Sequence, residues 1–223
     1  MKISNTICLE IEKRLKTIPI EWDGKNAILE MKNAGYKYWR QVEWIGFYFQ
    51  FLCEKHLADL FEFQVPLYGK VSFDGLYQFP FDFKVHAVNA SLHKIPINDR
   101  EVIECGIRDY GAVGLIIAIG DFVYNDEDRA FQSWHETLKG NKFRYVPENK
   151  RWVAWNRPRK VGMALKQVLI IEINNKTLAA CCSFQTRYKN FDGSTRREKV
   201  VLNLEKLNEE IIYRIEYRHN GYV

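Results

Sequence analysis

Two periodicities divide the chain. Residues 1–34 mix charged and apolar positions, and Leu9, Ile11 and Leu15 share one helical face. They predict an accessory helical pair, with residues 22–25 (Trp-Asp-Gly-Lys) as a turn. From Gly35 to about Leu60, Trp39, Val42, Ile45, Gly46, Phe49, Leu52, Cys53 and His56 recur at steps of three and four. That spacing predicts a long helix. The period then shortens to two. Residues 61–68, 71–77 and 79–87 read as three strands of an antiparallel meander, the first turned by Gly69-Lys70. Asn98 or Asp99 can cap a helix that runs through Tyr110 and stops at Gly111. Residues 113–119 are apolar without a break, as in a strand buried on both faces in the parallel part of an α/β sheet.

Gly120-Asp121 is expected to end that strand. Asp126, Glu127 and Asp128 then open a helix, since anions favour a helix N-terminus, and Gly140 closes it. Phe131, Trp134, His135 and Leu138 are its apolar positions. Residues 167–173 read as a strand, with 177–184 as its partner across Asn174-Asn175. Asp192-Gly193 marks a hairpin tip, and 200–204 another strand. Leu207, Ile211 and Ile215 predict a closing helix in the tail. The fold class is α/β, and 223 residues suit one domain.

With 47% hydrophobic and 14% aromatic residues, the chain can build a full core and is not disordered by composition. A net charge of +5 is modest, so its distribution carries more information. Between residues 139 and 160, Lys139, Lys142, Arg144, Lys150, Arg151, Arg157, Arg159 and Lys160 oppose only Glu148. Trp152 and Trp155 interleave with them. Basic residues with aromatics suit a phosphate backbone, and Arg157, Arg159 and Lys160 are candidate contacts. Arg187, Lys189, Arg196 and Arg197 flank the expected hairpin tip, where Arg can read base edges in the major groove. The five cysteines include no CxxC pair, so zinc is not expected and a reducing cytoplasm is. No apolar run approaches a membrane span.

The chemistry gathers in residues 71–86, VSFDGLYQFPFDFKVH. Strand alternation points Phe81, Phe83 and Val85 to the core and puts Asp82, Lys84 and His86 on the other face. Asp74 precedes them by a short turn. Two carboxylates and an ammonium are costly to hold together unless they act. Two hard oxygen ligands suit Mg²⁺, which keeps several waters, and a neighbouring lysine can orient and help deprotonate one for attack. His86 is expected in a supporting or structural role, and Glu62 as an edge residue. GxSxG, GxxxxGK[ST] and HExxH do not occur.

Asp74…Asp82-Phe83-Lys84 resembles the active-site signature of the PD-(D/E)XK nucleases, type II restriction endonucleases in particular. Phe73 stands where that signature has Pro, and the second acid is Asp. The element order resembles the family's αβββαβ core. The resemblance implies a mixed central sheet flanked by helices, with the catalytic core at about 35–120. It sits in a single nuclease domain, 1–223, whose residues 139–223 contribute DNA contacts. It further implies Mg²⁺ held by Asp74 and Asp82, an attacking water positioned by Lys84, and an assisting acid, Glu43, from the first core helix. The implied substrate is double-stranded DNA cut at a specific sequence. A homodimer and a protecting DNA methyltransferase are the implied partners. The alternatives are a repair nuclease or junction resolvase of the same superfamily, and a DNA-binding protein without chemistry.

Overall fold

The computed structural model describes residues 3–63, 67, 72–88, 92–124, 126–141, 159–189, 193–208 and 212–217. The helical pair expected in residues 1–34 is present as Asn5–Leu15 (α1) and Gly24–Asn33 (α2). The expected turn at 22–25 is instead a short strand, Glu21–Asp23 (β1), running into α2. Trp22 is buried there and donates to the Pro19 carbonyl at 2.7 Å, while Asp23 caps α2 by accepting from the Asn26 N–H.

The long helix expected from Gly35 is shorter. Gly35 takes a left-handed φ of 70°, Lys37–Arg40 form one 3-10 turn, and Gln41 is extended. The helix proper is Trp44–His56 (α3). Its apolar side buries Trp44, Ile45, Tyr48, Phe49 and Leu52.

Gly75–Tyr77 (β2) and Phe79–Ala87 (β3) pair antiparallel across Gln78, which has a positive φ. The strand expected at 61–68 shows one bridge, Glu62 to Leu76; residues 64–66 and 68 lie outside the described residues. The strand Lys94–Asp99 (β4) was not expected. It leads directly into Arg100–Tyr110 (α4), which Gly111 ends with a φ of 84° as expected. Val113–Val123 (β5) continues past Gly120 through a register shift at Ile119/Gly120.

Asp126 accepts from the N–H groups of Phe131 and Gln132, and Asp128 from Ala130, at the start of Ala130–Leu138 (α5). Asp126 and Asp128 therefore serve the helix start, as expected of them, just ahead of the first helical residue, Ala130. Gly162–Ile173 (β6) pairs antiparallel with β5. The expected partner strand at 177–184 is absent. The Asn174 side chain accepts from Lys176 and Thr177 N–H and starts a helix, Asn175–Cys181 (α6), where a hairpin turn was expected. Cys182–Gln185 (β7) then pairs with Lys199–Asn203 (β8), and β8 with β4, forming a second sheet. The expected closing helix is likewise a strand, Ile212–Glu216 (β9), paired with β6. A spacing of four satisfies a period of two as well as a helical turn, so Leu207, Ile211 and Ile215 fit both.

The main sheet runs β1-β6-β5-β3-β2, with β9 on β6. It is mixed: β3 and β5 are parallel, from Phe81↔Gly114 to Ala87↔Gly120. Helices and the second sheet cover its faces. Ile116 and Ala118 of β5 face α1–α3, whereas Val113, Leu115, Ile117 and Ile119 face α4 and the second sheet. The apolar run is thus buried on both sides, as its pattern predicts. Gly114 has no room for a side chain, since a Cβ there would lie 2.2 Å from the Phe81 ring. Among the described residues, no helix is long and apolar enough to cross a membrane. All five cysteines are free thiols.

Candidate active site

The acids and the lysine meet at the edge of β3. Phe81, Phe83 and Val85 pack toward the helical layer, and Asp82 pairs in register with Leu115, which faces the other layer. Asp74 sits one residue before β2 and is held on β3 from two directions. Its N–H donates to the Phe81 carbonyl at 2.9 Å, and its Oδ2 accepts from the Phe83 N–H at 2.7 Å. Asp82 is 1% exposed and accepts from Asn98 Nδ2 at 2.9 Å. The Lys84 ammonium lies 3.4 Å from Asp82 Oδ2 and 3.9 Å from Asp74 Oδ2, so one cation serves both carboxylates.

Electrostatics follow from this burial. Loss of water raises the Asp82 carboxyl above its ordinary range; Lys84 opposes the shift and Asp74 adds to it. Burial disfavours charge on Lys84, but Asp82 and Asp74 outweigh it and keep the ammonium charged above its usual range. The shift favours Lys84 as a hydrogen-bond donor, and departs from the expectation that it helps deprotonate a water.

Asp74 and Lys84 line an open cleft of about 370 Å³ together with Glu43, Gln50, Lys160 and the Phe122 ring. Glu43 occupies the N-cap position of α3 without making a cap hydrogen bond, and its carboxylate pairs with Lys160 Nζ at 2.6 Å. Among the described residues no three acids, histidines or cysteines converge as a ready ligand cage. Asp74 and Asp82 are an all-oxygen pair, Asp74 at the cleft wall and Asp82 buried behind it. They suit a hard divalent cation that carries most of its own waters.

His86 stands apart from the lining of the cleft. It meets His93 edge to face at 5.7 Å, and its buried Nε2 has no hydrogen-bond partner among the described residues. Of the expected DNA contacts, Arg157 lies outside the described residues, as do Trp152 and Trp155. Arg159 is half-buried, and burial lowers its pKa despite Glu43, Glu136 and Asp126 nearby. Arg187, Lys189 and Arg196 are exposed between β7 and β8, with Lys189 bridged to Thr195. Arg197 forms an ion pair with Asp99 Oδ2 at 2.8 Å, and Lys199 Nζ lies 2.6 Å from Oδ1. Sequence reasoning missed Asn98 as a partner of Asp82, and Gln50 on the cleft wall. Gln50 follows Gly46 by one helical turn, which was its one local signal.

No protein-family model matches the chain, and no curated protein matches it. Among solved structures, the restriction endonuclease BglI bound to its DNA recognition sequence is similar with a TM-score of 0.39 and 11% identity. The match covers 95% of this chain and 86% of that one. Similarity at that level leaves the chemistry to the cleft's own residues.

Proposed function

We propose that this protein is a Mg²⁺-dependent nuclease of the PD-(D/E)XK class, acting as a type II restriction endonuclease on double-stranded DNA. The observation that supports this is Lys84, held between Asp74 and Asp82 at the edge of an open cleft. Asp74 and Asp82 would hold the metal. A bound Mg²⁺ supplies Lewis-acid stabilisation of phosphate charge and lowers the pKa of a coordinated water. The protein's own part is orientation. The Phe83 N–H and Asn98 Nδ2 fix the two carboxylates. Lys84 offers N–H donors to the attacking water oxygen and to a phosphate oxygen, where negative charge grows during hydrolysis. Glu43 assists from the cleft mouth. The exposed basic residues Arg187, Lys189 and Arg196 supply groove contacts, with Arg157 as a further backbone contact. The restriction reading carries with it a homodimer, which cuts both strands of a palindrome, and a companion methyltransferase.

Incubation with phage DNA tests the reading. Discrete fragments in Mg²⁺, absent in excess EDTA, are expected. Intact DNA in Mg²⁺ and Mn²⁺ alike would overturn it.

A further inference from the structure

Lys160 is expected from sequence to be one more contact to the DNA backbone, beside Arg157 and Arg159. Its position is more specific. The ammonium lies in the same cleft as Asp74 and Lys84, 2.6 Å from Glu43 Oε2 and 5.1 Å from the centre of the Phe122 ring. The backbone beneath it is fixed. The buried Trp44 indole donates to the Lys160 carbonyl at 2.8 Å. The next residue, Val161, donates to Val123 and accepts from Gly24, both at 2.8 Å. A rigid base therefore presents a flexible side chain to the cleft.

The partner is easily exchanged. The Glu43 side chain is 69% exposed and makes no cap bond to α3. An ion pair this open contributes only about 0–1 kcal/mol to stability. Charge balance in the cleft favours exchange. Asp74 and Glu43 line it opposite Lys84 and Lys160, and the buried Asp82 lies behind Lys84, 3.4 Å from its ammonium. A phosphodiester brings another negative charge, and its transition state gains a second.

We propose that Lys160 is a catalytic residue: its ammonium rests on Glu43 while the cleft lacks nucleic acid, and moves to a non-bridging oxygen of the phosphodiester being cut. This rests on the nuclease reading above. Lys160 forms no covalent bond. Water's oxygen joins phosphorus and releases a proton to solvent, the ester P–O bond breaks, the leaving oxygen takes a proton from solvent, and Lys160 stabilises the added charge throughout. A purely structural latch between α3 and the start of β6 would instead matter only to folding.

The test uses the full chain and a duplex bearing one site mapped from wild-type fragments. Single-turnover rates at saturating enzyme are measured in Mg²⁺, and duplex affinity in EDTA. Lys160→Ala should lower the saturated rate by at least about 10-fold, within the range of a lost charge-stabilising donor, and Lys160→Arg should recover part of it. Glu43→Gln should tighten metal-free duplex binding by about 2- to 5-fold, because the parked cation is released. A Lys160→Ala rate within about 2-fold of wild type overturns the proposal, as does unchanged or weaker binding by Glu43→Gln. If wild type cuts and Lys160→Ala cuts equally well, only the role of Lys160 falls. If wild type cuts nothing, the nuclease reading falls and takes this proposal with it.

Discussion

Asn98 ties the buried Asp82, behind the cleft wall, to the junction of β4 and α4. Its Nδ2 donates to Asp82 Oδ2 at 2.9 Å, and its Oδ1 accepts from the Asp99 N–H at 2.7 Å. Both side chains are buried. Asn98→Ala removes the donor and leaves Asp82 desolvated, so the carboxyl should shift further up and hold a cation less well. Partners of this kind are worth about 10–100-fold in metal affinity or activity. The stability cost of a lost buried partner is about 1–3 kcal/mol. A Mg²⁺ titration of cleavage, with thermal unfolding beside it, checks both. An unchanged Mg²⁺ midpoint would show that Asn98 does not orient Asp82.

His135 should make stability depend on pH. It is 5% exposed, and its Nε2 lies 3.0 Å from the Trp39 carbonyl. Burial first, then Lys139, pushes its pKa down to about 4; the Trp39 carbonyl and Glu136 oppose, and Arg159 adds to the shift. An unfolded histidine titrates near ~6.5. Between these values the unfolded chain takes up a proton that the folded chain refuses, so stability falls as pH falls through that window. The expected loss is on the order of 1–3 kcal/mol between pH ~7 and ~4.5. Denaturant unfolding of wild type and His135→Gln measures it. The variant should lose that part of the slope, and equal slopes would contradict the assignment.

Arg196 and Arg197 are neighbours with different expected phenotypes. Both side chains are exposed, but Arg197 pairs with Asp99, which is 2% exposed at the start of α4. Arg197→Ala should cost about 1 kcal/mol of stability, limited by Lys199 on the same carboxylate. Arg196→Ala should leave stability within about 0.5 kcal/mol and weaken duplex binding instead. Melting curves and salt-dependent binding of the two variants separate these outcomes. Identical melting losses would place both side chains in the same structural role.

The cleft was partly legible because its signal is local. Asp74, Asp82 and Lys84 lie within eleven residues, and strand alternation alone puts Asp82 and Lys84 on one face. The burial of β5 was legible for the same reason. Contacts made by folding over long separations left no such mark. Asn98 meets Asp82 across 16 residues, and Lys160 meets Glu43 across 117. Other misreadings arose where one local feature serves two structures. Asn174-Asn175 suits a hairpin turn by residue type, but the Asn174 side chain caps α6. Trp39 and Val42 fit the period of α3, yet Gly35 and the extended Gln41 break the chain before that helix begins.

Lys84→Ala tests the central claim most directly. The ammonium sits between Asp74 and Asp82, and a positioning group of this kind typically contributes about 10²–10⁴-fold. Gel-shift titration in Ca²⁺ reports duplex binding, and cleavage in Mg²⁺ reports chemistry. The account predicts binding within a few-fold of wild type and a cut rate lower by about 10²–10⁴-fold. A Lys84→Ala protein that binds and cuts at near wild-type rate would contradict it.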